Sequence, residues 1–241
     1  MTSMPPMAVL AGGLATRMRP LTETVPKSLL DVAGEPFIAH QLRLFRREGI
    51  TRVVLCTGFL GEQIADFVGD GSAFGVEVSY SSDGDRLLGT GGALKRALPQ
   101  LGDEFLVCYG DSYLDAGYRP IVDCFRRAAA LALMTVYRND DHGDVSNVVY
   151  ADGRIVTYSK TARSPAMAHI DWGLGCFRRT VFDGWPETAP FDLAEVFCHL
   201  VDAGQLAAFE VTERFYEIGS PLGLAETDHY LRGVPEMELR R

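Results

Sequence analysis

Positive charge is scarce in this sequence, cysteine is sparse, and long apolar runs are missing. Twenty-three lysines and arginines face 32 aspartates and glutamates, leaving a net charge of −9. A chain this acidic lacks the broad basic footprint that a nucleic-acid backbone requires, so nonspecific DNA or RNA binding is excluded. No apolar stretch approaches the ~18–20 residues of a spanning helix. No basic flank precedes an uninterrupted apolar segment at the N-terminus either. The expectation is therefore a protein without membrane association or export, working in the cytoplasm. Cys56, Cys108, Cys124, Cys176 and Cys198 are scattered, odd in number and form no CxxC pair. Neither a disulfide framework nor a zinc site is expected from them, and most should be small core residues. Repeats, low-complexity tracts and linkers are also lacking.

What is present is 47% hydrophobic residues over 241 positions, ample for a sizeable core. Charge is unevenly spread. Residues 1–52 carry a local +3, against −12 for the remainder, which leaves room for a small anionic ligand near the N-terminal segment. Short β-branched runs alternate with longer amphipathic stretches, the pattern of βαβ units and a parallel sheet. Strands are expected at 7–11, 52–57, 76–81 and 105–109, with helices at 36–48, 61–68 and 90–98 between them. In the first helix Ile38, Leu42 and Phe45 share an apolar face, while Arg43, Arg46 and Arg47 should face water. Beyond Asp111 a helix at 120–130 precedes closely spaced strands at 131–137, 147–150, 154–159 and 173–177. Asp152 and Gly153 form a strong hairpin signal. Helices at 192–203 and 222–231 and strands at 207–211 and 215–218 close the chain. The expected fold is α/β: a Rossmann-like, mainly parallel sheet flanked by helices, with a smaller β-rich part.

The loop after the first strand, GGLATRMRPLTETVPKSLL from Gly12 to Leu30, stands where open α/β sheets bind ligands. Gly12 and Gly13 let the backbone approach a phosphate closely. Arg17 offers a fork of donors, Lys27 a compact charge, and Pro20 and Pro26 stiffen the segment between. Two glycines alone would read as an ordinary turn; the spacing of the basic pair reverses that. Asp111 stands just past an apolar strand, where a carboxylate can hold Mg²⁺ together with substrate phosphates.

This loop resembles the signature of sugar-1-phosphate nucleotidylyltransferases, GGxGTRLxPLT followed by PK. It matches at Gly12, Gly13, Thr16, Arg17, Pro20, Leu21, Thr22, Pro26 and Lys27, and departs at Met18 and at Ala15, where the family has glycine and an added methyl should crowd the loop. The resemblance extends over nearly the whole chain, through LLGTGGALKRAL (Leu87 to Leu98), YGDSYLD (Tyr109 to Asp115) and FYEIGSP (Phe215 to Pro221). It implies a single nucleotidyltransferase domain over 1–241, with 1–115 mainly binding nucleotide and 116–241 mainly sugar phosphate. The implied ligands are a nucleoside triphosphate, a sugar 1-phosphate and Mg²⁺, and a homodimer stays open.

Carried over residue by residue, the resemblance implies that Arg17 and Lys27 are catalytic. Leu10, Ala11, Gly12, Gly13, Asp83, Gly89 and Thr90 would bind the nucleotide, and Asp83 with Asp85 could accept from guanine's N–H edge. Asn147, Lys160 and Asp171 would bind sugar phosphate, and Asp111 and Glu217 would hold the metal. Glu217 stands where the family has aspartate, and Ser159 where a glutamate precedes the lysine. His169 and the pair Asp228 and His229 are expected at the surface. The resemblance leans to GTP with a heptose- or mannose-type sugar. Alternatives are a UTP-dependent N-acetylmuramate-type enzyme, a CTP-dependent transferase acting on a phospho-alcohol, a molybdopterin guanylyltransferase, and a non-catalytic nucleotide-sugar binding module.

Overall fold

The structure, a computed structural model, describes residues 3–139 and 144–233. Four parallel strands form its first half: β1 (Met7–Leu10), β4 (Arg52–Thr57), β5 (Glu77–Ser82) and β6 (Glu104–Tyr109), in the order β5-β4-β1-β6. The short pairs β2 (Asp31–Val32) and β3 (Glu35–Pro36) make a separate two-residue ladder. Helices α1 (Phe37–Arg47), α2 (Gly61–Val68) and α3 (Gly89–Leu101) join the parallel strands, the connections such strands require.

The second half does not form a sheet of its own. β11 (His169–Arg178) lies antiparallel against β6, β8 (Ala132–Arg138) pairs antiparallel with β11, and β12 (Leu206–Val211) pairs parallel with β8. One sheet therefore runs from β5 to β12. β9 (Val148–Ala151) and β10 (Arg154–Tyr158) branch from the start of β11. Asp152 and Gly153 between them both have positive φ, 50° and 74°, as a tight hairpin turn demands. Helices α4 (Tyr118–Arg127), α5 (Leu193–Asp202) and α6 (Pro221–Gly233), with the two-residue strands β7 (Ser112–Tyr113) and β13 (Tyr216–Glu217), complete the elements.

Strand alternation sends successive side chains to opposite faces, and two cores result. Met7, Val9, Leu106 and Cys108 pack with Ile38, Leu42 and Phe45 of α1 and with Tyr118, Ile121 and Phe125 of α4. Ala8, Phe105 and Val107 pack on the other side with Leu94 and Leu98 of α3 and Val196, Phe197 and Leu200 of α5. A third, smaller cluster joins Phe37 and Leu44 to Tyr113, Ile218 and Leu231. The cysteines are all free; Cys56, Cys108 and Cys176 are buried in the cores. No described helix is long and apolar enough to cross a membrane.

Three expectations change. Arg43 and Arg47 are not simply solvated: Arg43 grips Glu35, and Arg47 pairs with Asp115 and Glu48. The Arg43 guanidinium holds the Glu35 carboxyl below the usual range. Helical periodicity identified the apolar face of α1, but Glu35 just before the helix, Glu48 at its end and the distant Asp115 pair with its arginines, of which only Arg46 stays exposed. His169 is buried, its ring 5.1 Å from that of Tyr150 and its Nε2 3.1 Å from Glu210 Oε1. It belongs to a strand that starts four residues earlier than the pattern suggests, because a register shift between Asp171 and Gly175 interrupts the alternation. Trp172 beside it is a core residue, its indole N–H donating to Glu213 O at 2.8 Å.

Leu42 is fully buried at the α1–sheet contact. Leu42→Ala should therefore cost roughly 2–5 kcal/mol of stability, read as a lower urea midpoint at unchanged slope.

Candidate functional site

At the carboxyl ends of β1 and β6 the chain encloses a cavity of about 240 Å³. Its floor is Leu10 to Gly13 and Tyr109 to Asp111, and its walls include Lys27, Asp83, Gly89 and Thr90. The floor is tightly built. A methyl added to Gly12 would stand 3.0 Å from Gly58 N, and one on Gly110 would stand 3.0 Å from the Ala11 side chain. The turns after β1, β4 and β6 thus approach more closely than side chains allow. Thr22 Oγ1 donates to Ala15 O at 2.8 Å and closes the loop on itself.

Ala15 changes the account of the loop. Its φ of 48° and ψ of 40° are left-handed, a conformation that costs a residue with a Cβ roughly 1–2 kcal/mol and glycine almost nothing. Besides the added methyl, the physical difference from glycine at this position is therefore backbone strain.

Asp83 is 7% exposed. Its Oδ2 accepts from Leu88 N at 3.1 Å, while Oδ1 has no partner among the described residues. Burial raises its pKa against the opposing pull of the Leu88 N–H and of Arg96. An unpaired buried acceptor in a cavity wall is costly unless a ligand donates to it. Nearby, Gly89 has a φ of +72° and begins α3; the N–H groups of Gly91 and Gly92 point at Phe191 O, and Thr90 Oγ1 accepts from Leu193 N. The start of α3 is therefore tied to α5.

The two acidic residues named as metal ligands meet through backbone pairing. Glu217 in β13 is in register with Ser112 in β7, and Ile218 N donates to Asp111 O at 2.9 Å. Asp111 Oδ2 is ion-paired with Lys27 Nζ. The Glu217 carboxylate folds back onto the start of α6: Oε2 accepts from Gly219 N, and Oε1 from Ser220 Oγ at 2.6 Å. Ser220 in turn accepts from Gly223 N at 2.9 Å, capping the helix, so the carboxylate sits at a helix N-terminus where negative charge is favoured. Thr227 Oγ1 donates to Glu217 O at 2.8 Å. The longer side chain has room because position 223 is glycine; any Cβ there would overlap Glu217 Oε1.

Gly219 marks the convergence. A methyl built on it would lie 2.6 Å from Glu217 Oε2 and 3.3 Å from both Asp111 Oδ2 and Arg17 Nη2. Arg17 is exposed and, among the described residues, has no hydrogen-bond or ion-pair partner. The arrangement sets two carboxylates, an ammonium and a free guanidinium around one point at the cavity mouth. Hard oxygen donors, two in number and open to further ligands, suit a small divalent cation shared with phosphates.

On the other side of Tyr109 lie the remaining candidates. Asn147 Oδ1 accepts from Asp171 N, and Asp171 Oδ1 from Gly173 N, both at 3.0 Å. Removal from water pushes the half-buried Asp171 carboxyl up to about 6, against the Gly173 N–H and the Lys160 charge. Lys160 Nζ is 2.9 Å from Asp192 Oδ1 and 6.0 Å from the centre of the Tyr109 ring. Burial of Asp192 is outweighed by the Ala194 N–H and by Lys160, so its pKa lies below the usual value. Ser159, in place of a carboxylate, turns its hydroxyl to the N–H groups of Thr161 and Ala162. Asp228 and His229 lie away from this site on α6; Asp228 binds Arg232 and the Ala33 N–H.

The structure brings the nucleotide candidates together around one cavity, places Arg17 with Asp111 and Glu217 at its mouth, and gathers Asn147, Asp171 and Lys160 beyond Tyr109. Sequence reasoning missed Tyr109 itself, Gly58, Asp192, Ser220 and the glycines at 219 and 223. Tyr109 and Gly219 stand two positions from Asp111 and Glu217, but their roles are set by partners far away in the sequence, Lys160 for Tyr109 and Asp111 with Arg17 for Gly219.

Comparison with known proteins identifies the family. Residues 7–157 match the nucleotidyl transferase family. N-acetylmuramate alpha-1-phosphate uridylyltransferase of Neisseria meningitidis serogroup B is 33% identical, over 90% of this chain and 94% of that protein. Mannose-1-phosphate guanylyltransferase of Mycobacterium tuberculosis is 30% identical, over 95% of this chain but only 63% of that protein. For the Synechocystis UTP–glucose-1-phosphate uridylyltransferase the chain spans 55% of the relative's length. A Bacillus anthracis crystal structure in complex with sucrose matches the fold at a TM-score of 0.85 and 23% identity, covering 97% of both chains. HddC of Yersinia pseudotuberculosis, complexed with GMP-PN, matches at 0.78 and 21%, covering 95% of this chain and all of that one. The chain belongs to the nucleotidyl transferase family, among the sugar-1-phosphate nucleotidyltransferases, enzymes of the EC 2.7.7 type.

The raised pKa of Asp171 predicts a stability profile. A folded-state value of about 6 against 3.8 means that the fold favours the protonated acid, so stability is fullest below about 3.8 and is lost as pH rises through about 6. Asp171→Asn keeps the acceptor for Gly173 N. Its melting temperature should exceed the wild type's at pH 8, with the gain shrinking towards pH 4; a gain independent of pH would contradict the assignment.

Proposed function

We propose that this chain transfers a nucleotidyl group from GTP to a heptose- or mannose-type sugar 1-phosphate with Mg²⁺, releasing pyrophosphate. The observation that carries the reaction chemistry is the convergence of Arg17, Asp111 and Glu217 on Gly219, beside Lys27 and the glycine loop. Residues 1–115 would serve mainly the nucleotide and residues 116–241 mainly the sugar phosphate, in one catalytic domain. Five free thiols support a reducing, cytoplasmic setting.

A phosphate oxygen of the sugar 1-phosphate attacks the α-phosphorus in line, a bond forms there, and the bond to pyrophosphate breaks. The attacking phosphate is already ionised near neutral pH, so no protein base is needed and catalysis is positioning plus charge neutralisation. Arg17, without another partner among the described residues, holds the leaving pyrophosphate and the charge that develops on it. Lys27 exchanges Asp111 for phosphate oxygens of the two substrates. Gly12 and Gly13 admit the triphosphate, with Leu10 and Ala11 beneath it and Gly89 and Thr90 beside the base. Lys160 fixes the sugar phosphate, while Asn147 and Asp171 take its hydroxyls. Asp111 and Glu217 would hold Mg²⁺, which supplies Lewis-acid polarisation of the phosphoryl oxygens.

Guanine is favoured by Asp83, which lines the cavity and carries a carboxylate able to accept from the donors that guanine has on both N1 and N2. The second reading, UTP with an N-acetylmuramate-type phosphate, is favoured by the Neisseria relative, which this chain matches over nearly its whole length. Pyrophosphate release measured over four nucleotides and a panel of sugar 1-phosphates decides between them; no release with any pair would overturn the reaction itself.

Arg17→Ala should lower turnover by at least ~100-fold, as loss of one preorganised charge stabiliser does. Normal turnover in that variant would remove Arg17 from the chemistry. Glu217→Asp withdraws the carboxylate by about one methylene, and a misplacement of ~1 Å costs on the order of 10²-fold. An unchanged rate in steady-state assays would instead mean that Glu217 has no direct bond to the metal.

A further inference from the structure

Helix α1 buries two polar side chains that amphipathic patterning does not explain, His40, whose Nε2 lies 2.8 Å from Val32 O, and Gln41, which reaches a different part of the fold. Gln41 is fully buried, with the buried Ile38 one turn before it and the buried Phe45 one turn after it on the same helix. A buried amide is costly unless it is hydrogen-bonded. The partners it has found are specific: Nε2 donates to Tyr109 O at 3.0 Å and to Ser112 O at 2.7 Å. These carbonyls flank Gly110 and Asp111, the turn by which the chain leaves the sheet at the end of β6 and enters β7.

We propose that Gln41 is a positioning residue for the metal-binding carboxylate Asp111, an inference that rests on the metal reading given above. The backbone around Asp111 is held at four points. Gly110 N donates to Leu10 O at 3.0 Å, Asp111 O accepts from Ile218 N at 2.9 Å, and the carbonyls on either side are tied to one amide group. The bond to Ile218 N fixes Asp111 relative to the strand carrying Glu217. The two bonds from Gln41 fix it relative to α1 and the parallel sheet. Without them two partly buried carbonyls beside the cavity would lose the amide that holds them, and the turn would be free to rotate them towards other donors. A cation that demands metal–oxygen distances of ~2.0–2.1 Å tolerates little such movement.

The orientation of the amide is settled by chemistry. Both partners are carbonyl oxygens and accept only, so the NH₂ end must face them, and Oε1 is left without a partner among the described residues. An unpaired buried oxygen is a standing cost, and leucine or methionine would fill the same space without it. Its retention makes sense where the two donated bonds are worth more to the site than to the core.

Three variants test this. Gln41→Met keeps the volume and removes both donors; Gln41→His keeps one; Asp111→Asn removes the carboxylate itself. Two quantities are read: binding of Mn²⁺ alone to the free chain by electron paramagnetic resonance, and the Mg²⁺ concentration giving half-maximal pyrophosphate release. In Gln41→Met the Mn²⁺ dissociation constant and the half-saturating Mg²⁺ concentration should each rise about tenfold, with KM for the sugar phosphate unchanged. Gln41→His should fall between Met and wild type. Metal binding equal to wild type in Gln41→Met overturns the role, as does a uniform loss in every kinetic constant, which marks general destabilisation. If Gln41→Met does not fold, the His variant decides alone: unaltered metal dependence overturns the role. If the wild-type chain binds no Mn²⁺ in a manner that Asp111→Asn abolishes, the metal assignment fails and this proposal fails with it. Asp111-dependent binding that ignores Gln41 overturns this proposal only.

Discussion

Two residues of backbone pairing hold the site together. Ser112 and Tyr113 run against Tyr216 and Glu217, and through that ladder a segment near the end of the chain is fastened to one in its middle. Everything acidic at the cavity mouth depends on it: Asp111 is anchored through Ile218, and Glu217 through the capped start of α6. So short a ladder is weak by itself. It persists because Tyr113, Ile218 and Leu231 are buried beneath it with Phe37 and Leu44, and because Tyr216 stacks on Tyr230 at 4.0 Å. The hydroxyl of Tyr230 then donates to Asp115 at 2.7 Å, and Asp115 is also paired with Arg47 of α1. Ionic and aromatic contacts outside the cavity thus fix the relation between the two carboxylates at its mouth.

The parts of the site legible in the sequence were those whose meaning is local. Gly12, Gly13, Arg17 and Lys27 fall within sixteen residues, and the chemistry of that spacing can be read without knowing what lies opposite. The βαβ alternation gave the parallel half of the sheet for the same reason. What was not legible depends on pairings across the chain. Gly223 carries no signal until Glu217 is seen folded against it, and Gln41 looks like one more polar helix residue until Tyr109 and Ser112 are seen beyond it. Arg43 and Arg47 were misread because periodicity reports which face of a helix is apolar; it does not report that Glu35 and Asp115 will meet the other face.

The departures from the family pattern are each absorbed by a neighbour. Ala15 accepts a strained backbone, and the Thr22 hydroxyl secures it. The extra length of Glu217 is taken up by two glycines and a serine. At Ser159 the hydroxyl caps the following turn, while the ammonium of Lys160 turns to Asp192 at the start of α5. Negative charge is therefore still delivered beside Tyr109, but by Asp171 and Asp192 from strands and helices further along the chain. The pocket is built from the same kinds of group, supplied from different addresses.

The continuity of the sheet bears on how the protein comes into being. A chain emerging from the ribosome has all four parallel strands once Tyr109 is out, yet β6, whose interior residues are wholly apolar, still lacks a neighbour on one side. That neighbour is β11, which begins only at His169. Until some sixty further residues have been made, an apolar edge of the nascent sheet stands open to pairing with another chain. The parallel half of the sheet is thus not a folding unit by itself: it is unfinished until β11, from the second half of the chain, has closed it.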